Sequence, residues 1–248
     1  MEHVDVLQLR RALFDSHDFG NFFDASLAVV IASDLDDDIE RRDGLFADRG
    51  GRQRLLLGGT VPGSDVEYYT ITYTGLQYVP LTRYFTLALN AEISFGDAFG
   101  DSSSVPPFKR FCGGGPNSIR AYRENTLGPR DSFGNPYGGN LLTTARGELI
   151  LPIPQKWRSR FRIAAFYDIG GVFDTGGVTF FEQDGISKIS YDFDASELKQ
   201  SVGLAAEWLA PLGLFRFSYG FALNPQDSDG RRFGDETEGF QFNIGGAF

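Results

Sequence analysis

The chain has 248 residues, a formal net charge of −10 and an aromatic content of 15%. Nucleic-acid binding rests on clustered Lys and Arg, so this charge, with an isoelectric point near 4.7, argues against a nucleic-acid partner. The 24 Phe, 10 Tyr and 31 Gly indicate aromatic strands separated by glycine turns, which favours an all-β fold.

The cysteine and histidine content argues against a metal site. Cys112 is the single cysteine, and His3 and His17 are the histidines, so the sequence offers neither an intrachain disulfide nor a zinc-binding spacing. We expect no metal and no cofactor. No apolar stretch approaches the roughly 20 residues of a spanning helix, and no signal-peptide pattern follows Met1.

In chain order, residues 1–20 fit a strand pattern poorly, and the apolar positions from Val6 to Leu13 suggest a short helix or an irregular lead-in. From residue 21 onward, alternation predicts about nine strands. They lie at residues 27–33, 54–61, 68–79, 85–96, 142–151, 160–169, 201–209, 215–223 and 240–248. We therefore divide the chain into an uncertain lead-in (1–20) and a partial β-barrel (21–248).

The segment Phe85–Gly96 shows the alternation most clearly. Its odd positions are all apolar, while Asn90 and Glu92 stand among the even ones, so one face of the strand is apolar and the other polar. The segment is long enough to cross a bilayer at a tilt, which takes about 9 to 11 residues. In the strand predicted at 160–169, Arg162 and Asp168 share the polar face in the same way.

The connections alternate in length. Short turns are predicted at 79–82 and 210–213, and long polar loops at 97–140, 174–199 and 224–238; the turn 62–65 falls on the long-loop side as an exception. This alternation is typical of an outer-membrane barrel. A soluble β-sandwich or lipocalin-like barrel is the alternative, but it leaves such long aromatic strands unexplained.

A glycine-rich motif lies within the first long loop. Phe111–Tyr122 reads FCGGGPNSIRAY, and Arg123–Pro129 reads RENTLGP. The motif resembles the long loop of the BamA family, part of the surface-antigen and outer-membrane assembly superfamily of Gram-negative bacteria. Residues 46–52, 61–69 and 240–245 resemble that family in the same order. A flexible loop tip and a phosphate cradle are the alternatives, but no Lys-Ser/Thr follows the glycines.

The resemblance implies a fold and a site. The fold is an antiparallel transmembrane β-barrel, of which this chain is the C-terminal portion with long extracellular loops, expected to follow further strands and periplasmic domains. In the site, Arg120 and Tyr122 lie on a loop that folds into the barrel, where Arg120 meets Glu148 and Asp168 on the wall. Ala121 replaces the family's glycine, and a Cβ costs about 1 kcal/mol if that backbone has a positive φ.

The resemblance also gives the C-terminal strand a role. It implies a recognition strand that borders a lateral gate, carried here by Phe240, Phe242, Ile244, Gly245 and Phe248. An incoming strand would pair with the exposed edge by β-augmentation.

The implied function is to fold and insert β-barrel proteins into the outer membrane, with no catalytic residue. The implied partners are unfolded outer-membrane protein clients, accessory assembly lipoproteins and outer-membrane lipid. A TamA-like translocation factor, a two-partner secretion pore and a passive porin are the alternatives. An enzyme lacks a Ser/His/Asp arrangement, since both histidines lie in the first 20 residues.

Overall fold

The computed structural model describes residues 8–18, 23–34, 49–61, 64–176, 178–211, 213–229 and 231–245. Apart from short 3-10 helices at Pro107–Lys109 and Ala195–Glu197, its regular structure is β. The strands are β1 (Gln8–Asp18), β2 (Phe23–Asp34), β3 (Gly50–Thr60), β4 (Tyr68–Pro80), β5 (Thr86–Ala98), β6 (Leu141–Ile150), β7 (Phe161–Phe173), β8 (Phe180–Phe181), β9 (Lys188–Ile189), β10 (Lys199–Ala210), β11 (Gly213–Ala222) and β12 (Phe240–Gly245).

Ten of these strands form one antiparallel sheet in the order β1-β2-β3-β4-β5-β6-β7-β10-β11-β12. Each strand of this sheet pairs with the next sheet strand along the chain, and β8 and β9 form a separate hairpin within the connection 174–198, between β7 and β10. The connections 99–140, 174–198 and 223–239 leave the same end of the sheet, because every pairing is antiparallel. Within the described residues, no helix is long and apolar enough to cross a membrane.

The two faces of the sheet differ as the alternation predicts. Leu89, Ile93 and Tyr167 are exposed on the outer face, whereas Ser94 and Asp168 on the inner face are almost completely buried. Side chains at alternate positions of a strand point to opposite faces, so the outer face is the apolar one. An apolar outer surface over a polar interior is the arrangement of a membrane barrel.

An aromatic row crosses the outer face near the short-turn end. Ring centroids are 6.2 Å apart for Trp157 and Phe161, 5.9 Å for Phe161 and Trp208, 5.6 Å for Trp208 and Phe215, and 6.0 Å for Phe215 and Phe242. Aromatic side chains collect where a membrane meets water, because their rings tolerate both environments. The row reaches β12, so the apolar belt continues to the last strand of the sheet.

The prediction of a short helix or irregular segment before residue 21 is wrong for residues 8–18. These residues form β1, which pairs with β2 from Gln8↔Ala32 to Asp18↔Phe23. Pairing with a neighbouring strand satisfies the backbone even where the side chains do not alternate, so tertiary context outweighs the local pattern. The predicted nine strands correspond to β2–β7 and β10–β12, and β1 adds a tenth to the sheet.

Candidate functional site

The loop 99–140 turns back into the interior at a tip built on glycines. Gly114 and Gly115 have φ values of 94° and 93°. A Cβ on Gly114 would lie 2.3 Å from the carbonyl oxygen of Arg123, so only glycine fits there. The Gly115 N–H donates to the carbonyl of Tyr122 at 3.0 Å, which closes the tip. The apolar core of the described chain lies beside it, at Ile119, Tyr122 and Leu127.

Arg120 points from this tip to the wall of the sheet. Its Nε lies 2.7 Å from Asp168 Oδ2 and its Nη2 lies 2.7 Å from Asp168 Oδ1, a two-pronged pairing that guanidinium and carboxylate geometries match. The Arg120 backbone N–H also donates to Asp168 Oδ2 at 3.1 Å. Nη1 donates to Glu148 Oε1 at 2.5 Å. The structure therefore brings Arg120, Asp168 of β7 and Glu148 of β6 together.

Burial makes this contact costly to break. Arg120 is 5% exposed and Asp168 is 0% exposed, while the Glu148 side chain is 28% exposed. Burial by itself would lower the pKa of Arg120, but the hydrogen bond and charge of Asp168, with those of Glu148, outweigh it and raise that pKa. The arginine therefore stays charged, and losing one buried partner would leave an uncompensated ion.

Phe166 also contacts Arg120. The Arg120 guanidinium carbon lies 3.7 Å from the centroid of the Phe166 ring, which is within cation–π range. Gly203 and Gly220 provide the space for this ring, since a Cβ on either would lie 2.7 Å from Phe166 Cζ. These glycines face each other across β10 and β11, and Gly203 also faces Phe166 across β10 and β7.

Ala121 has a left-handed backbone, with φ of 67°. This is the conformation in which a Cβ is unfavourable, so the substitution of the family's glycine carries the strain expected from the sequence. Ala121 is nevertheless well buried, and its Cβ lies over Gly220, where an added Cβ would be 3.5 Å away.

Tyr122, the last residue of the glycine-rich motif, is completely buried. Its hydroxyl lies 3.4 Å from the carbonyl oxygen of Gln200 and 3.3 Å from Asn224 Oδ1, so a hydrogen bond to the strand end of β10 fixes the ring. Burial, with the nearby charge of Asp235, raises the pKa of Tyr122. The tyrosine therefore stays neutral and acts as an apolar anchor with a polar end.

The same tip reaches β12. Gln241 is 4% exposed; its Nε2 donates to the Tyr122 carbonyl at 2.6 Å, and its Oε1 accepts from the Ala121 N–H at 3.4 Å. Asn243 Nδ2 donates to Asn117 Oδ1 at 2.9 Å. The long loop therefore contacts the last strand of the sheet as well as the β6–β7 wall.

Ion pairs join the long loops above the sheet. Arg110 pairs with Asp174 in a fully buried contact that links 99–140 to the connection 174–198. Glu236 in the connection 223–239 accepts from Arg123 at 2.6 Å and from Arg130 at 3.0 Å. The hydrogen bonds from Arg123 and Arg130 hold the pKa of Glu236 below its usual value.

Below Arg120 the wall encloses a cavity of about 200 Å³ with a strongly charged lining. Glu207 pairs there with Arg162 at 3.4 Å and with Arg216 at 2.9 Å, across strands in register. In the described part of the chain, no cluster of His, Cys, Asp or Glu could hold a metal ion. The lining of the cavity carries four arginines, Arg120, Arg146, Arg162 and Arg216, against the two glutamates Glu148 and Glu207.

Of the residues predicted to form the C-terminal recognition strand, three are exposed on the outer face of the sheet. Phe240, Phe242 and Ile244 are 58%, 45% and 59% exposed on the outer face, and Gly245 is the last residue of β12. Phe248 lies outside the described residues. The outward parity agrees with a lipid-facing strand, and the recognition role of these residues stays a prediction.

Sequence reasoning did not single out Phe166, Gln241, Asn243 or the pair Arg110–Asp174. The sequence does indicate an inward role for Phe166, because it is an aromatic residue on the face of its strand that carries Arg162 and Asp168. The residues that align with it on β10 and β11 are glycines. The sequence also indicates an inward position for Gln241, because it alternates with three outward apolar residues.

Comparison with known proteins places the chain in a family. The model of the Omp85 superfamily domain matches residues 17–248. The outer membrane protein assembly factor BamA of Neisseria meningitidis serogroup B is 33% identical over 205 residues, which cover 76% of this chain and 25% of that protein. BamA of Nitratidesulfovibrio vulgaris is 34% identical over 146 residues, covering 58% of this chain and 16% of that protein.

A solved structure agrees with these relatives. The crystal structure of BamA from Haemophilus ducreyi lacking POTRA domains 1–3 matches with a TM-score of 0.70 and 25% identity, covering 89% of this chain and 42% of that one. The predicted resemblance and the predicted antiparallel transmembrane β-barrel are confirmed. The chain spans about a quarter of the first relative's length, and by its family-model match it belongs to the Omp85 superfamily.

Proposed function

We propose that this chain is the C-terminal part of an assembly factor that folds β-barrel proteins and inserts them into the outer membrane. Its location is the outer membrane, the compartment named for both relatives. In this proposal the ten-stranded sheet, with β1 included, is part of the barrel of a longer protein. The observation that carries the proposal is the fastening of one loop both to the wall at Asp168 and to the last strand at Gln241.

The proposed mechanism uses the edge of β12. Backbone groups inside a membrane must be paired, and each unsatisfied group costs several kcal/mol. When β12 separates from its neighbour beyond the sheet, an incoming strand gains by pairing with the free edge, which is β-augmentation. The outward residues Phe240, Phe242 and Ile244 keep that edge in contact with lipid while the client strand is added.

The loop contact distinguishes this function from a passive pore. A pore needs an open lumen whose constriction is ringed by charges. Here the loop places Arg120, Ile119 and Tyr122 inside, and each is at least nine-tenths buried. A loop fastened inside the barrel favours a wall that moves over an open path for solutes.

We propose protein and lipid partners and no nucleic-acid partner. Clients would be unfolded outer-membrane proteins, and accessory lipoproteins and outer-membrane lipid would be further partners. The net charge of −10 does not suit a nucleic acid. We propose no enzymatic activity, since the charged groups at the site are committed to ion pairs and insertion needs no covalent step.

The test is reconstitution of the full-length protein in liposomes with an unfolded outer-membrane barrel protein. The expected result is faster folding of the client than in empty liposomes, measured by its heat-modifiable migration on semi-native gels. Liposomes that gain ion conductance without accelerating client folding would instead support a passive porin. Acceleration confined to secretion of a passenger domain would support a translocation factor.

A further inference from the structure

The inward side chains of β12 hold the tip of the long loop. Gln241 makes two hydrogen bonds with consecutive residues of the tip, to the Tyr122 carbonyl and from the Ala121 N–H. Asn243, the next inward residue, donates to Asn117. The outward residues Phe240 and Phe242 face away from the loop, so β12 has one face toward lipid and one toward the loop.

The backbone of the loop tip also contacts residues 236–238, which precede β12. The Arg123 N–H donates to the Glu236 carbonyl at 2.8 Å, and the Glu238 N–H donates to the Ala121 carbonyl at 2.9 Å. Tyr122 and Thr237 form the β-bridge between them. Residues 121–123 of the tip therefore pair, as a short additional strand, with the segment that leads into β12.

The loop adds three side-chain hydrogen bonds to the strand pairing that holds β12. This strand spans six residues, and its pairing with β11 runs from Leu214↔Gly245 to Tyr219↔Phe240. In the described part of the chain it lies at the end of the sheet, with β11 as its strand neighbour. A strand this short has few ladder hydrogen bonds, so the amide contacts to the tip matter more.

These contacts are easier to release than the contact at Asp168. They join neutral groups, and a hydrogen bond between neutral groups contributes little net stability. Removing a partner from a buried ion pair leaves an uncompensated charge and costs several times more. We therefore expect the side-chain contacts of Gln241 and Asn243 to break more readily than the pairing of Arg120 when the loop tip is displaced.

We propose that Gln241 and Asn243 are positioning residues that fasten β12 to the loop tip and set how readily its edge becomes free. Their contribution to barrel insertion rests on the proposed function. The fastening itself concerns this chain alone and is tested without a client.

The first experiment compares hydrogen exchange of β12 in the full-length protein and in Gln241→Leu, which keeps the size of the side chain and removes its amide. Ser218→Ala is the matched control, because Ser218 is buried and lies directly opposite Gln241 in the register. Amides of Phe240–Gly245 are expected to exchange about tenfold faster in Gln241→Leu, with those of β7 unchanged. Unchanged exchange in β12, or equal acceleration in β7, would overturn the proposal.

The second experiment crosslinks the loop tip to β12 instead of weakening their contact. Asn117→Cys and Asn243→Cys are combined with Cys112→Ser and joined by a short bismaleimide. Crosslinking is expected to be efficient in the resting protein and several-fold lower when Gln241→Leu is added. No crosslink at rest would contradict the fastening. If the reconstituted protein inserts clients, the crosslinked form should not; equal insertion by both forms would refute the link to gating while leaving the assembly function in place.

Discussion

The loop 99–140 is fastened at two places, and the two differ in chemistry. At the wall, Arg120 is held by Asp168 and Glu148 through charged hydrogen bonds of 2.5 to 2.7 Å in a buried setting. At the closing strand, Gln241 and Asn243 hold the tip through neutral amides. The comparison teaches that one loop contacts the wall through charged groups, whose loss is costly, and the last strand through neutral groups, which are easier to release.

The largest effect is expected at the wall. Asp168→Arg places two cations together in a buried site and should cost more than the about 3 to 5 kcal/mol of a simple loss of partner. The barrel should lose its heat-modifiable compact form on semi-native gels. Arg120→Asp in the same protein should restore part of that form.

A control keeps that result specific. Arg216→Ala removes an arginine from a half-exposed ion pair with Glu207 and should change stability by less than about 1 kcal/mol. An Asp168→Arg protein as stable as Arg216→Ala would contradict the wall anchor.

The second prediction concerns Glu148, the partly exposed partner at the wall. Glu148→Gln keeps a hydrogen-bond acceptor for Arg120 and removes the charge, and Asp168 still neutralises the arginine. The expected loss is about 1 to 2 kcal/mol in the free energy of unfolding, measured by urea titration in detergent. A loss as large as that of the Asp168 variant would mean that the two carboxylates share the charge equally.

Sequence alone gave much of this picture, and the missing part has a physical cause. Alternation assigned Asp168 to the inner face correctly, because strand periodicity is local. The partnership of Arg120 with Glu148 and Asp168 came from a family resemblance, since no local rule says where a loop tip lands. Gln241 contacts Tyr122 from 119 residues further along the chain, and only the folded sheet brings those residues together.

The third prediction removes strain between the two anchors. Ala121→Gly should stabilise the protein by about 1 kcal/mol, because Ala121 has φ of 67°. Ala164→Gly is the matched control: Ala164 is buried within β7, where glycine should destabilise by about 0.5 to 1 kcal/mol. The midpoints of urea unfolding should move in opposite directions. A shift in the same direction for both variants would remove the argument from backbone strain.

The smallest effect is expected among the exposed loop contacts. The pKa of Glu236 is held below 4.5 by Arg123 and Arg130, so its stabilising contribution is present above that pH and is lost as the pH falls through the lowered pKa. Glu236→Gln should cost less than about 1 kcal/mol at neutral pH, since these pairs are partly exposed. The difference in stability between Glu236→Gln and the parent protein should shrink as the pH is lowered below 4.5. A difference that does not change with pH would contradict this assignment.

Hydrogen exchange measured during client insertion tests the two-anchor account most directly. The full-length protein in liposomes is pulsed with deuterium while it inserts an unfolded outer-membrane protein, and the exchange of β7 and β12 is compared. The account predicts that amides of Phe240–Gly245 lose protection while those around Asp168 keep it. Simultaneous loss of protection in both strands, or full protection of β12 during active insertion, would contradict it.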